Sequence, residues 1–299
     1  MRQIVECVAN FSEGRRLDVV QKIVDAIHAV DQVKVLAYES DADHHRSVVT
    51  FAGEPSAMVD AAFAGIQVAC QLINLDEHQG QHPRLGAADV VPFIPIQGVI
   101  MDDCVQIAHE VGRRVGDELS VPVYLYEHAA TTPERRNLAD VRRGGYEGLK
   151  QTILRPERKP DYGPTILPEA GACIIGARNA LIAYNVYLTT DNVDIAKKIA
   201  HAVRYSSGGL RNVKALGLLV KGKAQVSTTL TDYTQTPLYR LIEIVRREAA
   251  RYGVTIESSE LIGLIPQDVL LETAAWYLQM DNYQPEKVLE NRLQILDDD

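Results

Sequence analysis

The feature that most constrains this chain is an order of elements that occurs twice. Ile4 to Ala9 reads as a short strand, and a helix then runs to about Val30, with Leu17, Val20, Ile23, Val24 and Ile27 recurring every three or four residues. Two strand-like runs follow, Val33 to Tyr38 and Ser47 to Phe51, and a second helix is expected from about Pro55 to Leu75. The second half repeats this order. Ala180 to Leu188 is a strand, and a helix starts at Asp191 with Val193, Ile195, Ile199 and Val203 on one face. Val213 to Val220 and Ala224 to Leu230 form a strand pair, a helix begins near Pro237, and a last strand-like run covers Val254 to Ile256. Sequence identity between the two copies is negligible, so the repeat lies in element order alone.

Strand-helix-strand-strand-helix-strand is the split βαβ, or ferredoxin-like, arrangement. The expected fold is therefore α+β, with two ferredoxin-like (βαββαβ) subdomains containing mixed sheets. A chain of 299 residues accommodates two such units. Between the copies lies an insert with a strand at Val90 to Ile96, a helix near Cys104 to Leu119 and an apolar strand at Val121 to Tyr126. The Pro- and Gly-rich stretch from Pro160 to Gly171 puts the boundary near 176–179, which divides the chain into 1–178 and 179–299. Helices near Pro266 to Gln279 and Pro285 to Leu296 close it.

Charge and cysteine usage exclude several classes of function. The net charge of −9 disfavours nonspecific nucleic-acid binding. Residues 131–160 are the exception, with eight basic residues against four acidic ones, so that segment carries +4 and the remainder −13. It reads either as a solvated helix face or as a local positive field for an anionic small molecule. No apolar run reaches the roughly 20 residues of a membrane span, and the N-terminus has no signal-peptide pattern, so a cytoplasmic protein is expected. Cys7, Cys70, Cys104 and Cys173 are far apart and form no CxxC pair, which fits buried thiols in a reducing compartment.

Three polar segments could carry chemistry. His78 to Asp89, read HQGQHPRLGAAD, contains Gly80, Pro83 and Gly86 and so forms a shaped loop rather than a helix. Its two histidines at i and i+4 lack the carboxylate of an HExxH zinc motif, and no metal is expected. An imidazole there suits proton transfer at neutral pH, with Arg84 available for a carboxylate; the residues alone serve an ordinary loop equally well. Asp41 to Arg46, read DADHHR, lies on the turn between two strands. In Asn10 to Gly14, read NFSEG, Asn10 or Ser12 is expected to cap the following helix, whose exposed amides also suit a substrate carboxylate. The chain has no phosphate loop, no GxGxxG after the first strand and no GxSxG elbow.

These segments together resemble the glutamate formimidoyltransferase family. Val5 to Gly14 is similar to its VECxPNFSEG, Asp41 to Arg46 to its DADHNR, and His78 to Asp89 with Pro92 to Pro95 to its HxGEHPRMGAxDVxPFxP. Pro160 to Pro164, Gly176-Ala177-Arg178, Ala183 to Val186 and Ala224 to Ser227 match further family segments in order. The resemblance spans essentially the whole chain, with 1–178 as N-terminal and 179–299 as C-terminal formiminotransferase subdomain. It departs at Ala9 for Pro, His45 for Asn and Gln81 for Glu.

The resemblance implies a substrate tunnel at the interface of the subdomains, His82 as the catalytic imidazole, and a folate-bordering loop of Gly163, Pro164, Thr165, Ile166, Leu167, Pro168, Glu169, Ala170 and Gly171. Asn10, Asp41, Arg46 and Arg84 are the expected substrate-binding residues, the two arginines for carboxylates. The implied activity moves a formimino group from N-formimino-L-glutamate to tetrahydrofolate, a co-substrate, giving 5-formiminotetrahydrofolate and glutamate in histidine breakdown. A homodimer and a separate cyclodeaminase are the implied partners, with no nucleic acid and no membrane. Gln81 beside His82 leaves formyl transfer between 5-formyltetrahydrofolate and glutamate as an alternative; a folate-binding protein without turnover is another.

Overall fold

The computed structural model describes residues 3–80 and 83–294. It divides into two compact units, Met1–Arg178 and Asn179–Asp299. In the first unit the chain runs β1 (Ile4–Phe11), α1 (Leu17–His28), β2 (Val33–Asp41), β3 (Arg46–Gly53), α2 (Pro55–Leu72) and β4 (Ala88–Gln97). It continues as α3 (Met101–Leu119), β5 (Val123–Glu127), α4 (Leu138–Val141), α5 (Gly145–Thr152) and β6 (Cys173–Ala177). The second unit holds β7 (Ile182–Leu188), α6 (Val193–Val203), β8 (Val213–Val220), β9 (Lys223–Leu230), α7 (Leu238–Ala250), β10 (Ile256–Ile262), α8 (Gln267–Tyr277) and α9 (Leu289–Gln294). Among the described residues no helix is long and apolar enough to cross a membrane.

The expected repeat is present. The first sheet runs β2-β3-β1-β4-β6-β5 and the second β10-β7-β9-β8. In each unit the four strands of the split βαβ motif lie in the same relative order. The strand at Val90 to Ile96, read as part of an insert, belongs to β4 and completes the first motif. The true insertion begins at α3. Only the first sheet is mixed, because β6 pairs in parallel with both β4 and β5. The second sheet is antiparallel throughout, since no such crossover extends it. The last strand also lies further along than Val254 to Ile256, at Ile256–Ile262, and β6 was not legible as a strand at all.

Alternation along β1 sets the two faces of the first sheet. Val5, Cys7, Ala9 and Phe11 are buried against α1, α2 and α3 together with Ile23, Ile27, Met58, Ile66, Phe51 and Phe93. The opposite face is half covered by the unit's own chain. Over β4, β6 and β5, a second small core joins Val90, Tyr124, Tyr126 and Ile174 to Val141, Leu149 and Ile153 from α4, α5 and the residue just beyond.

That cover is the basic segment, and the structure shows why it is basic. Arg135 pairs with Asp161, Arg142 with Asp89, Arg143 with Asp140 and Lys150 with Asp76. Three of these four acids lie outside residues 131–160, so much of the excess positive charge fastens the segment to the unit instead of standing as a free field.

Direction matters most for the site. β1 runs antiparallel to β3 and β4, so its C-terminal end lies beside their N-terminal ends. β6 is parallel to β4, so its N-terminal end is there too. Five connections reach that end, 12–16, 42–45, 73–87, 120–122 and 159–172, and four of them hold the described parts of the polar motifs singled out above.

Gly176 is the tightest point of the parallel extension. A Cβ there would lie 2.5 Å from the Tyr126 carbonyl oxygen and 2.4 Å from the Tyr126 ring. Gly176→Ala is expected to destabilise the protein by about 1–3 kcal/mol, read from denaturant unfolding.

Candidate active site

The 12–16 turn is organised by Glu13, whose carboxylate is 1% exposed. Its Oε1 accepts the N–H groups of Gly14, Arg15 and Arg16 at 3.0, 2.9 and 2.9 Å, and Oε2 accepts Arg16 Nε at 2.5 Å. Burial pushes the carboxyl up, but the Arg16 and Arg15 amides, the Arg16 guanidinium and His45 outweigh it and hold it at about 2. These amides precede α1 and are the anion site expected for a substrate carboxylate. The chain fills it with its own Glu13. Neither Asn10 nor Ser12 caps the helix. Ser12 Oγ donates to Gly86 O at 2.7 Å and Asn10 Nδ2 to Val8 O at 3.4 Å.

The β2–β3 turn closes on Asp41, whose Oδ1 accepts the N–H groups of Asp43 and His44, both at 2.9 Å, while Oδ2 faces His44 Nδ1 at 2.7 Å. Burial raises the Asp41 carboxyl, yet the His44 amide and ring hold it below the usual range. Asp41 pairs across the strands with Arg46, and Asn10 with Val48 and Val90. Asn10, Asp41 and Arg46 therefore share the half of the sheet face that α4 and α5 leave uncovered. Burial draws the Arg46 guanidinium below its usual range, opposed by Asp41.

Residues 78–80 lie against the β2–β3 turn, and Gly86 and Ala87 lie against the 12–16 turn. Arg84 Nη2 donates to His78 O at 2.8 Å and to Glu147 Oε1 at 2.9 Å, and its buried Nε has no acceptor. His78 is buried, with Nε2 donating to His45 O at 2.9 Å; burial pushes its pKa down. Asp89 is buried beneath Arg142, with Oδ2 2.5 Å from Nη2, and its Oδ1 accepts Leu85 N–H at 2.7 Å. Burial pushes its carboxyl up in spite of Arg142. His82, the expected proton shuttle, and Gln81 lie outside the described residues.

Residues 163–171 form a loop pinned at both ends by glycine. Gly163 and Gly171 have φ of 79° and 74°, and added Cβ atoms would lie 2.5 Å from Val121 O and 2.3 Å from Leu85 O. Ala87 N–H donates to Ala170 O at 2.7 Å and Ala172 N–H to Leu85 O at 3.0 Å, so the loop lies directly against the 84–89 stretch. Its middle faces outward, with Ile166 75% exposed. The four cysteines take no part: burial pushes Cys70 and Cys104 to about 12 and Cys7 and Cys173 well up.

Glu13, His45, Asp89 and Arg142 were missed as site residues. The signal for Glu13 was an acid placed directly before the amides of a helix start. The signal for Arg142 was a basic excess without partners nearby in sequence.

These features define a two-unit α+β protein with paired split βαβ motifs and a polar site at one sheet end of the first. Residues 4–178 match the family described as "Formiminotransferase domain, N-terminal subdomain" and residues 183–295 the "Formiminotransferase domain". The chain belongs to the formiminotransferase domain family. It is 51% identical over 295 residues to a protein of Thermoplasma acidophilum named glutamate formimidoyltransferase, covering 97% of both chains. A protein of the same name from Streptococcus pyogenes is 43% identical, covering 98% of this chain and 99% of that one. Formimidoyltransferase-cyclodeaminase of Rattus norvegicus is 41% identical over 93% of this chain, which spans 53% of that protein.

Because the Glu13 carboxylate titrates at about 2 in the folded protein against roughly 4.3 unfolded, it stabilises the fold above the unfolded value. Glu13→Gln is expected to cost about 2–3 kcal/mol at pH 7. The difference from wild type should shrink as pH falls from about 4.5 towards 2, measured by urea unfolding across that range.

Proposed function

We propose that the protein is a glutamate formimidoyltransferase, which moves the formimino group from N-formimino-L-glutamate to tetrahydrofolate. The observation that carries this reading is the 51% and 43% identity, over nearly the full length of both partners, to proteins of that name. Supporting it, the described residues of four segments that resemble the family, 10–14, 41–46, 78–89 and 160–164, lie at one end of one sheet.

In the proposed reaction, folate N5 attacks the amidine carbon and a tetrahedral adduct forms. The bond from that carbon to the glutamate nitrogen then breaks, releasing glutamate and leaving the formimino group on N5. One proton leaves N5 and one is delivered to the departing amine, so the transfer is proton-neutral. His82 is proposed to carry that proton, work suited to an imidazole. Asp41 and Asn10 are assigned to orient the amidine, and Arg46 and Arg84 to hold carboxylates. The orphaned Nε of Arg84 is in keeping with that assignment. Residues 163–171 are proposed to border the folate, offering the outward-facing Ile166 to its ring. A cytoplasmic location, a homodimer, a separate cyclodeaminase and a place in histidine breakdown complete the reading.

The test is glutamate release from N-formimino-L-glutamate with and without tetrahydrofolate. Release is expected only with folate, and His82→Ala is expected to lower kcat by about 10²–10⁴-fold with KM nearly unchanged. Arg46→Ala is expected to act mainly through KM for the glutamate substrate, by about tenfold or more, as loss of a charge-assisted bond predicts. Folate-independent release, or full turnover in His82→Ala, would contradict the assignment.

A further inference from the structure

His45 occupies a backbone position that an imidazole enters at a cost. Its φ is 52°, in the left-handed region that asparagine tolerates well, and the DADHNR pattern carries asparagine there. The cost is offset by three contacts. Nε2 lies 3.0 Å from Glu13 Oε1 and Nδ1 lies 2.9 Å from Gln79 O. The ring also stacks on His78, with centroids 4.1 Å apart and planes 11° off parallel.

Both ring nitrogens thus face acceptors: a carboxylate that the helix amides keep ionised, and a backbone carbonyl. Only the ring with a proton on each nitrogen satisfies both. An asparagine amide is shorter and carries both hydrogens on one nitrogen, so it does not span acceptors on opposite edges of the ring. The neighbouring chain leaves little slack. A Cβ on Gly80 would lie 2.5 Å from His44 O and 2.7 Å from His45 Cβ, so the backbone crosses His44 and His45 at contact distance. Among the described residues, the ring faces Glu13, itself paired with Arg16, and His78, whose neighbours include Arg84; the Asp41–His44 pair lies on its own turn. The ring of the buried His78 lies face to face beneath that of His45.

We propose that His45 is a positioning residue for the transfer reaction, fastening the 78–80 backbone to the buried Glu13 carboxylate through a doubly protonated ring. The kinetic part of this inference rests on the function proposed above; the bridge itself does not.

The experiment uses full-length wild type, His45→Asn and Glu13→Gln. Nitrogen NMR of the histidine rings is expected to show protons on both His45 nitrogens at neutral pH in wild type and not in Glu13→Gln. His45→Asn, which keeps the left-handed backbone, is expected to fold and to lose about ten- to hundredfold in kcat, with KM for both substrates within about twofold. A singly protonated His45 ring in wild type overturns the bridge, and a His45→Asn enzyme with wild-type kcat overturns the positioning role. A wild type without transfer activity overturns the function and the kinetic role together, while the nitrogen spectrum still decides the bridge.

Discussion

A carboxylate that loses its water must recover the lost solvation from the protein, and Glu13 does so from every side. Three consecutive amides, one guanidinium and one imidazole point at its two oxygens. That demand fixes the turn after β1, the start of α1 and the side chain of His45 at once. Through His45 it extends to Gln79 and His78. Without the carboxylate, the amides of residues 14–16 and the His45 ring would lose their common acceptor.

Close backbone packing completes what the carboxylate begins. Gly14 lies so near the β2–β3 turn that a Cβ would stand 2.2 Å from Asp41 O and 2.7 Å from Arg46 N. Gly86 meets Ala172 O in the same way, at 2.2 Å. Neither position has a positive φ; glycine is required there because two chains touch. Ser47 Oγ donates to Glu13 O, and Arg15 Nε donates to Ala42 O at 2.9 Å. The described residues of four connections far apart in sequence are therefore held together, a condition for positioning substrates to a fraction of an ångström.

The element order was legible because helix and strand periodicities differ, and Leu17 to Ile27 state the helical one plainly. The topology then places the motifs together, since antiparallel neighbours of β1 must begin where it ends. β6 escaped notice because Cys173 to Ala177 is a five-residue apolar run, buried on both faces, with no alternation to read. The purpose of the basic segment was hidden for a different reason. Its partners Asp76, Asp89 and Asp161 are distant in sequence, and pairing across such separations leaves no local pattern. Asn10, Asp41, Arg46 and Arg84 lie on segments that stand out by their polar residues and their resemblance to the family, whereas Glu13 was hidden because burying an acid is worthwhile only when the fold supplies its donors. The same fact overturned the expectation of a substrate carboxylate at the start of α1.

The claim at the centre of this account is that one carbon moves from a glutamate nitrogen to a folate nitrogen. The most direct measurement follows that atom, using N-formimino-L-glutamate labelled with carbon-13 at the formimino position and observed by NMR in the presence of tetrahydrofolate and the wild-type protein. The account predicts that the label leaves glutamate and appears bonded to folate N5, one for one with free glutamate. A label that stays on glutamate, or that leaves it at the same rate without folate, would contradict it.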